Sequence, residues 1–392
     1  MEEFYPFFLV IFAGVFFSLV FRRMHVPWVA GLILGGIVIG PQMLDVLTVT
    51  PTMEFIAQVG LVFLMFMAGL ESRVEYAKGF RGKLVWLSFV NGFVPFLVGG
   101  GLTLLFGYSL FAALIVGIVF ISSSIAVVIP SLERHDLLHT ELGQSVVLTS
   151  IIQDISSLVL LSIVLQSVDA VTSLPLWIFY PLVFLVLVGM RYVIPRVHAL
   201  FTRSFRKSKD LFQQEFRAVF LLLVGTVIVF ELLGLHPIIA GFFAGLVLSG
   251  SVTSQILKEK IRTISYGIFI PTFFILIGIQ ADVQVLFQAG GAALLVLVMV
   301  LGSISSKFLS GWVGAMAVGF KRDQALLFGI SAVPQLSTTL AVVFTAYSLD
   351  LIDQRLITAM ITLSIATVMM SPILMDLLGG RIRKSRPDSI KI

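Results

Sequence analysis

The chain contains no cysteine. That excludes disulfides, thiolate metal sites and a cysteine nucleophile. Charge is scarce too: 12% of the 392 residues are Asp, Glu, Lys or Arg, about half the share of an average soluble domain. Nor is there a phosphate-binding glycine loop, a serine nucleophile with its base, or an adenine-nucleotide motif. An enzyme, a resident cofactor and transport driven by ATP hydrolysis within this chain are therefore disfavoured. Met1-Glu2-Glu3 lacks the positive start of a signal peptide, so the first helix is expected to be retained.

What fills the chain is apolar: 58% of residues are hydrophobic and the mean hydropathy is +1.07. The expected class is an all-α polytopic membrane protein. Runs that meet the length of a bilayer span fall at roughly 4–22, 28–47, 53–72, 83–107, 109–131, 143–165, 175–195, 215–234, 236–250, 264–280, 289–318, 324–347 and 355–379, about thirteen helices. They leave no room for a soluble regulatory domain, so residues 1–392 read as one transmembrane domain.

Lys and Arg occupy alternate loops, around Arg22, Arg73, Arg134, Arg196 to Lys209, Lys258, Lys321 and Arg381 to Lys391. The loops between them are nearly bare of both. This places the N-terminus outside and the C-terminus in the cytoplasm, with the plasma membrane as the expected location. The isoelectric point near 9.5 suits anionic lipid headgroups better than nucleic acid. Trp28, Trp86 and Trp177 open their spans as interfacial anchors. The five histidines lie at span ends or in loops; His135 and His139, at i, i+4, could form a pH sensor or a metal pair but read as solvated loop positions.

One residue breaks the pattern. Asp154 sits at the midpoint of an apolar run from Gly143 to Leu165, where an aspartate costs roughly 2.5–3.5 kcal/mol and signals ion or proton handling. Ser150, Gln153, Asp154 and Ser157 follow helical spacing, so they share one face that should turn from lipid. A second charge, Lys307, lies within the apolar segment 289–318 and is the expected counter-ion. The chain reads as an ion transporter.

A repeat supports this. Ala30-Gly31 with Gly35 and Gly40 matches Ala240-Gly241 with Gly245 and Gly250 at an offset of 210 (241 minus 31). The next helix continues the match, Gly69 aligning with Gly278 at 209 (278 minus 69). The paired spans are an odd number of crossings apart, so the copies, about 4–165 and 215–379 with a linking helix at 175–195, are inverted. Inverted repeats build secondary transporters, with the site near the midplane and often at broken helices. The spans at 109–131 and 324–347 are the expected broken pair. One carries Ser122-Ser123-Ser124; the other carries Pro334-Gln335-Leu336-Ser337, where proline removes a backbone donor. Ser123, Ser124, Pro334, Gln335 and Ser337 thereby join Asp154 as candidate cation and proton ligands.

Taken together, these stretches resemble the Kef-type branch of the second monovalent cation:proton antiporter family. The residues that carry the resemblance are 31–41, 63–71, Ser122 to Val128, Gln153-Asp154, 241–249 and Pro271 to Phe274 with Gly278 and Asp282. The resemblance implies two discontinuous crossing helices, a homodimer, and an elevator in which Asp154 alternates between cation and proton while Lys307 serves as the membrane lysine. Two departures stand out. Gln153 takes the place of a first acid, which points to electroneutral exchange, and the nucleotide-binding domain of larger relatives is missing, so regulation by nucleotide or glutathione is not implied; a separate regulatory subunit is a further expected partner. The expected activity is exchange of K+ or Na+ for H+. A gated K+ channel and an organic-anion symporter on the same plan are the alternatives.

Overall fold

The computed structural model describes residues 4–23, 27–41, 43–47, 49–71, 82–168, 176–205, 211–233, 235–249, 255–282, 284 and 292–384. Gly250 of the repeat, His25 and the basic residues Arg73, Lys78, Arg81, Lys207 and Lys209 lie outside them. The described residues form helices and no strand: α1 (Phe4–Arg23), α2 (Trp28–Ile39), α3 (Pro51–Glu71), α4 (Gly82–Leu105), α5 (Leu110–Ile121), α6 (Ile125–Arg134), α7 (Glu141–Val168), α8 (Leu176–Phe205), α9 (Leu211–Leu232), α10 (Pro237–Leu248), α11 (Gln255–Ile264), α12 (Ile270–Gln280), α13 (Ala292–Ala317), α14 (Arg322–Ser331), α15 (Ser337–Ser348) and α16 (Gln354–Lys384). A π-helical turn, Ser265–Phe269, joins α11 to α12. Nine spans among the described residues are long and apolar enough to cross a membrane.

Each expected span coincides with one helix or a helix pair, but several boundaries differ. The run 28–47 is helical only to Ile39, because Gly40 ends α2 in extended backbone. The linking helix continues to Phe205, past Pro195. The segment expected from 264 starts at Gln255. Trp28, Trp86 and Trp177 are all exposed, as lipid-interface residues should be.

The chain divides into two compact units. In the first (Met1–Ile11, Val49–Glu75, Ser162–Phe274), α3 packs on α10. A Cβ on Gly69 would lie 2.0 Å from the Phe242 carbonyl oxygen, and one on Gly245 would lie 2.1 Å from that of Phe66. Only glycine permits so close an approach of helix backbones. Phe63 stacks between Phe220 and Phe269 at 5.8 and 5.1 Å.

In the second unit (Phe12–Thr48, Tyr76–Leu161, Ile275–Ile392), α2 meets α12 in the same manner. A Cβ on Gly278 would lie 2.1 Å from the Ile33 carbonyl oxygen, and one on Gly36 would lie 2.1 Å from that of Ile275. A single shift of 209 residues (278 minus 69) carries Gly69 onto Gly278, Ile33 onto Phe242, Gly36 onto Gly245 and Phe66 onto Ile275. Thus α2 and α10, equivalent in the two copies, each pack on the following helix of the other copy, α12 and α3. The offset of 210 read for the first helix is corrected to 209: Gly36, not Gly35, is the partner of Gly245, since Gly35 faces the ring of Phe17 instead. The rest of this unit packs α4 on α5 and α13, and α13 on α14 and α16.

Candidate functional site

Two spans are interrupted in the second unit, each leaving a pair of short helices. α5 has 12 residues and α6 has 10; α14 has 10 and α15 has 12. At 1.5 Å per residue each is about 15–18 Å long, half a bilayer. Ser122 to Ser124 between α5 and α6 are extended, and 332–336 separate α14 from α15.

The two breaks satisfy one another. Ser124 N donates to the Pro334 carbonyl at 2.6 Å, the single hydrogen of Ser123 Oγ can go to the Ala332 carbonyl at 3.0 Å or to Gln153 Oε1 at 2.8 Å, and the Ser122 and Thr339 hydroxyls are 2.7 Å apart. Unwound backbone survives at this depth only when its polar groups are met by protein in this way. Four half-helix ends consequently converge, two carrying partial positive charge and two partial negative.

Lys307, fully buried on α13, goes to a negative end. Its ammonium hydrogen-bonds the carbonyl of Ile121, the last residue of α5. It also donates to Ser123 Oγ at 3.1 Å and Gln153 Oε1 at 3.0 Å, so all three donors are used. No hydrogen bond or ion pair within 4.0 Å joins it to Asp154. Gln153, a neutral acceptor, takes the lysine's hydrogen bond, and Lys307 and Asp154 act on one another through charge without direct contact.

Asp154 is 3% exposed and turns to a positive end. Thr338, in the first turn of α15, lies beside it, and Lys307 acts on it through charge alone. Its Oδ1 is buried with no hydrogen-bond partner. A buried acceptor in that condition costs about 1–3 kcal/mol, more when charged, and native structures keep few.

The other expected residues divide. Ser150 and Ser157 are buried on the Asp154 face, but each hydroxyl donates to its own helix, to Val146 O and Asp154 O. Ser124 Oγ is buried without a partner. Gln335 turns away to Ser303 Oγ (3.0 Å), and its backbone N–H meets Thr367 Oγ1 (3.2 Å). Pro334 contributes its carbonyl, and Ser337 opens α15. Thr338, Ser303, Thr367 and Asn91 were missed by sequence reasoning. Of these, Asn91 had a signal, a lone amide in the apolar run 83–107.

One histidine also departs from expectation. His135 is 14% exposed, with Nε2 3.0 Å from Asp376 Oδ1, while Arg134 takes the other oxygen.

Inverted short helices, two mutually capped breaks and a buried carboxylate define a secondary-transporter class of membrane protein. Residues 7–376 match the family described as sodium/hydrogen exchanger, transmembrane. The chain belongs to that family and is a multi-pass membrane protein.

Among individual relatives, the chain is 28% identical over 379 residues to "Probable Na(+)/H(+) antiporter 3" of Methanocaldococcus jannaschii, covering 95% of this chain and 96% of that one. It is 22% identical to "Na(+)/H(+) antiporter" of Enterococcus hirae, covering 94% and 95%. It is 25% identical to "Na(+)/H(+)-K(+) antiporter GerN" of Bacillus cereus, covering 89% of each. The solved structure of the sodium proton antiporter MjNhaP1 from Methanocaldococcus jannaschii at pH 8 superposes with a TM-score of 0.68 at 17% identity, covering 98% of this chain and 99% of that one. The all-helical antiporter fold expected from the sequence is the one found.

Proposed function

We propose that the protein exchanges a monovalent cation for a proton, with Asp154 as the one group that binds both. The observation that carries this reading is the Asp154 carboxylate, buried beside the crossing of two broken helices with one oxygen unpartnered. A proton or a cation neutralises it equally, so binding of one expels the other. The names of the relatives favour Na+ as the cation, and the Na+/H+-K+ name of one of them keeps K+ as the second candidate.

Exchange is electroneutral in this account. Gln153 supplies an oxygen but takes up no proton, and Lys307 stays charged on neutral acceptors and the negative end of α5. The carrier then has the same charge whichever substrate is loaded. An elevator fits, because α4 to α7 up to Leu161 and α13 to α16, which supply every residue named above at the site, belong to one compact unit and can carry the site as one body. A homodimer in the plasma membrane, N-terminus outside, follows from the Kef-type resemblance and the alternating basic loops.

The test is purified protein in liposomes with an internal pH dye, challenged with Na+ and K+ in turn. Cation addition should move protons in the opposite direction, with unchanged rate when the membrane potential is clamped by an ionophore for another ion. Uptake of cation with no counter-movement of protons would favour a channel.

A further inference from the structure

Asn91 lies mid-way along α4 and is fully buried. Its Nδ2 donates to the Lys307 carbonyl and to Ser310 Oγ, each at 2.9 Å. The carbonyl can only accept. Ser310 spends its own hydrogen on the Ser306 carbonyl, 2.5 Å away, so it too must accept. Both partners therefore force the NH2 end of Asn91 towards α13, and its Oδ1 is left facing α7. Only a donor can meet that oxygen, and Gln153 Nε2 does so at 2.8 Å. The Gln153 oxygen must then point the other way, to Lys307 Nζ at 3.0 Å and Ser123 Oγ at 2.8 Å. The chain of bonds begins at the carbonyl of Lys307 and ends at its ammonium. Gly311 leaves the room it needs, since a Cβ there would come within 3.0 Å of Asn91 Nδ2.

We propose that Asn91 is a positioning residue for the antiport inferred above, fixing which end of the Gln153 amide faces Lys307 and so keeping the ammonium off the Asp154 carboxylate. The inference rests on that functional reading. If the Gln153 amide turned over, its NH2 would face the ammonium, donor against donor, and Lys307 would lose one of three acceptors. Asp154 is the titratable group whose charge acts on Lys307 and is the acceptor to which a released ammonium would turn. There it would compete with the transported cation.

The experiment compares wild type, Asn91→Leu, Gln153→Leu, the double variant and Ser310→Ala in liposomes, with folded protein checked by size-exclusion chromatography. Asn91→Leu should raise the apparent KM for the cation by roughly tenfold near neutral pH, the worth of one hydrogen bond to a charged group. Maximal rate should hold, because a released ammonium competes at the cation site alone. A merely structural role would lower yield and maximal rate and leave KM unchanged. Because Asn91 acts through Gln153, the double variant should show little more than the larger single effect. Ser310→Ala, which removes one of the two acceptors orienting Asn91, should move KM the same way by less.

Folded Asn91→Leu protein with wild-type KM, or additive effects in the double variant, would overturn the proposal. Where Asn91→Leu does not fold, an unaltered KM in Ser310→Ala overturns it instead. Wild-type protein that exchanges nothing is a different outcome, and removes the functional reading on which the inference stands.

Discussion

Replacing Gln153 with Glu exchanges a nitrogen for an oxygen and leaves the shape of the side chain intact. One carboxylate oxygen would still accept from Lys307 and Ser123, at the 3.0 and 2.8 Å now seen for Oε1. The other would face Asn91 Oδ1 at the 2.8 Å now spanned by a hydrogen bond. Asn91 cannot turn to help, because its NH2 is held by the Lys307 carbonyl and Ser310. The lost neutral bond is worth about 1 kcal/mol and the charged contact with Lys307 about 1.5–3 kcal/mol, so Q153E should fold. A proton on the oxygen that faces Asn91 restores the lost bond, which gives the variant a second place to carry one.

The consequence is electrical. If that proton is loaded and released in each cycle, one net charge crosses per cation, and 100 mV then shifts the balance by about 2.3 kcal/mol, about fiftyfold in the cation:proton ratio at equilibrium. Wild type should not respond. The assay is proton movement driven by a cation gradient in liposomes at zero and about 100 mV of clamped potential. Active Q153E protein that is as indifferent to voltage as wild type would refute the reasoning, as would a wild type that responds to voltage.

Three other outcomes follow from the same geometry. If cation and proton share one carboxylate, the apparent KM for the cation should climb about tenfold per unit as pH falls through the acid arm of the profile, with maximal rate unchanged; a maximal rate that falls with acid while KM stays constant would indicate separate sites. Gly278→Val places bulk where a Cβ would already lie 2.1 Å from the Ile33 carbonyl oxygen, so it should lower the melting temperature through an overpacking cost of about 1–3 kcal/mol, measurable by thermal denaturation in detergent. Pro334→Ala lifts a helix penalty of about 3 kcal/mol and lets α14 extend, pulling the Pro334 carbonyl from Ser124; exchange should slow while the melting temperature holds, and a wild-type rate would mean the break does not depend on this proline.

The spans, the broken helix at Pro334 and the Asp154 stripe were legible because each leaves a one-dimensional trace: a run of apolar residues, a missing donor, a carboxylate in the wrong solvent. Glycine spacing disclosed the repeat but missed its register by one residue in α2, because Gly35 and Gly36 adjoin and only packing tells which faces α12. The hydrogen-bond partners of Lys307 were not legible. From the sequence, opposite charges in one bilayer show only that the two groups act on one another. In the fold, half-helix ends compete for both, and the ammonium goes to the end of α5 while the carboxylate turns to the start of α15. Asn91 was visible as a polar residue in an apolar run, yet its role depends on a ring through α4, α7 and α13 that no spacing rule encodes.

The central claim, that one carboxylate carries both substrates, is tested most directly by Asp154→Asn. The substitution keeps size and hydrogen-bonding capacity and removes a charge that is costly at this depth, so the variant should insert and melt at or above the wild-type temperature. In liposomes with an internal pH dye, addition of Na+ or K+ should then move no protons above the protein-free background. Asp154→Asn protein that moves protons at wild-type rates when the cation is added would contradict the account.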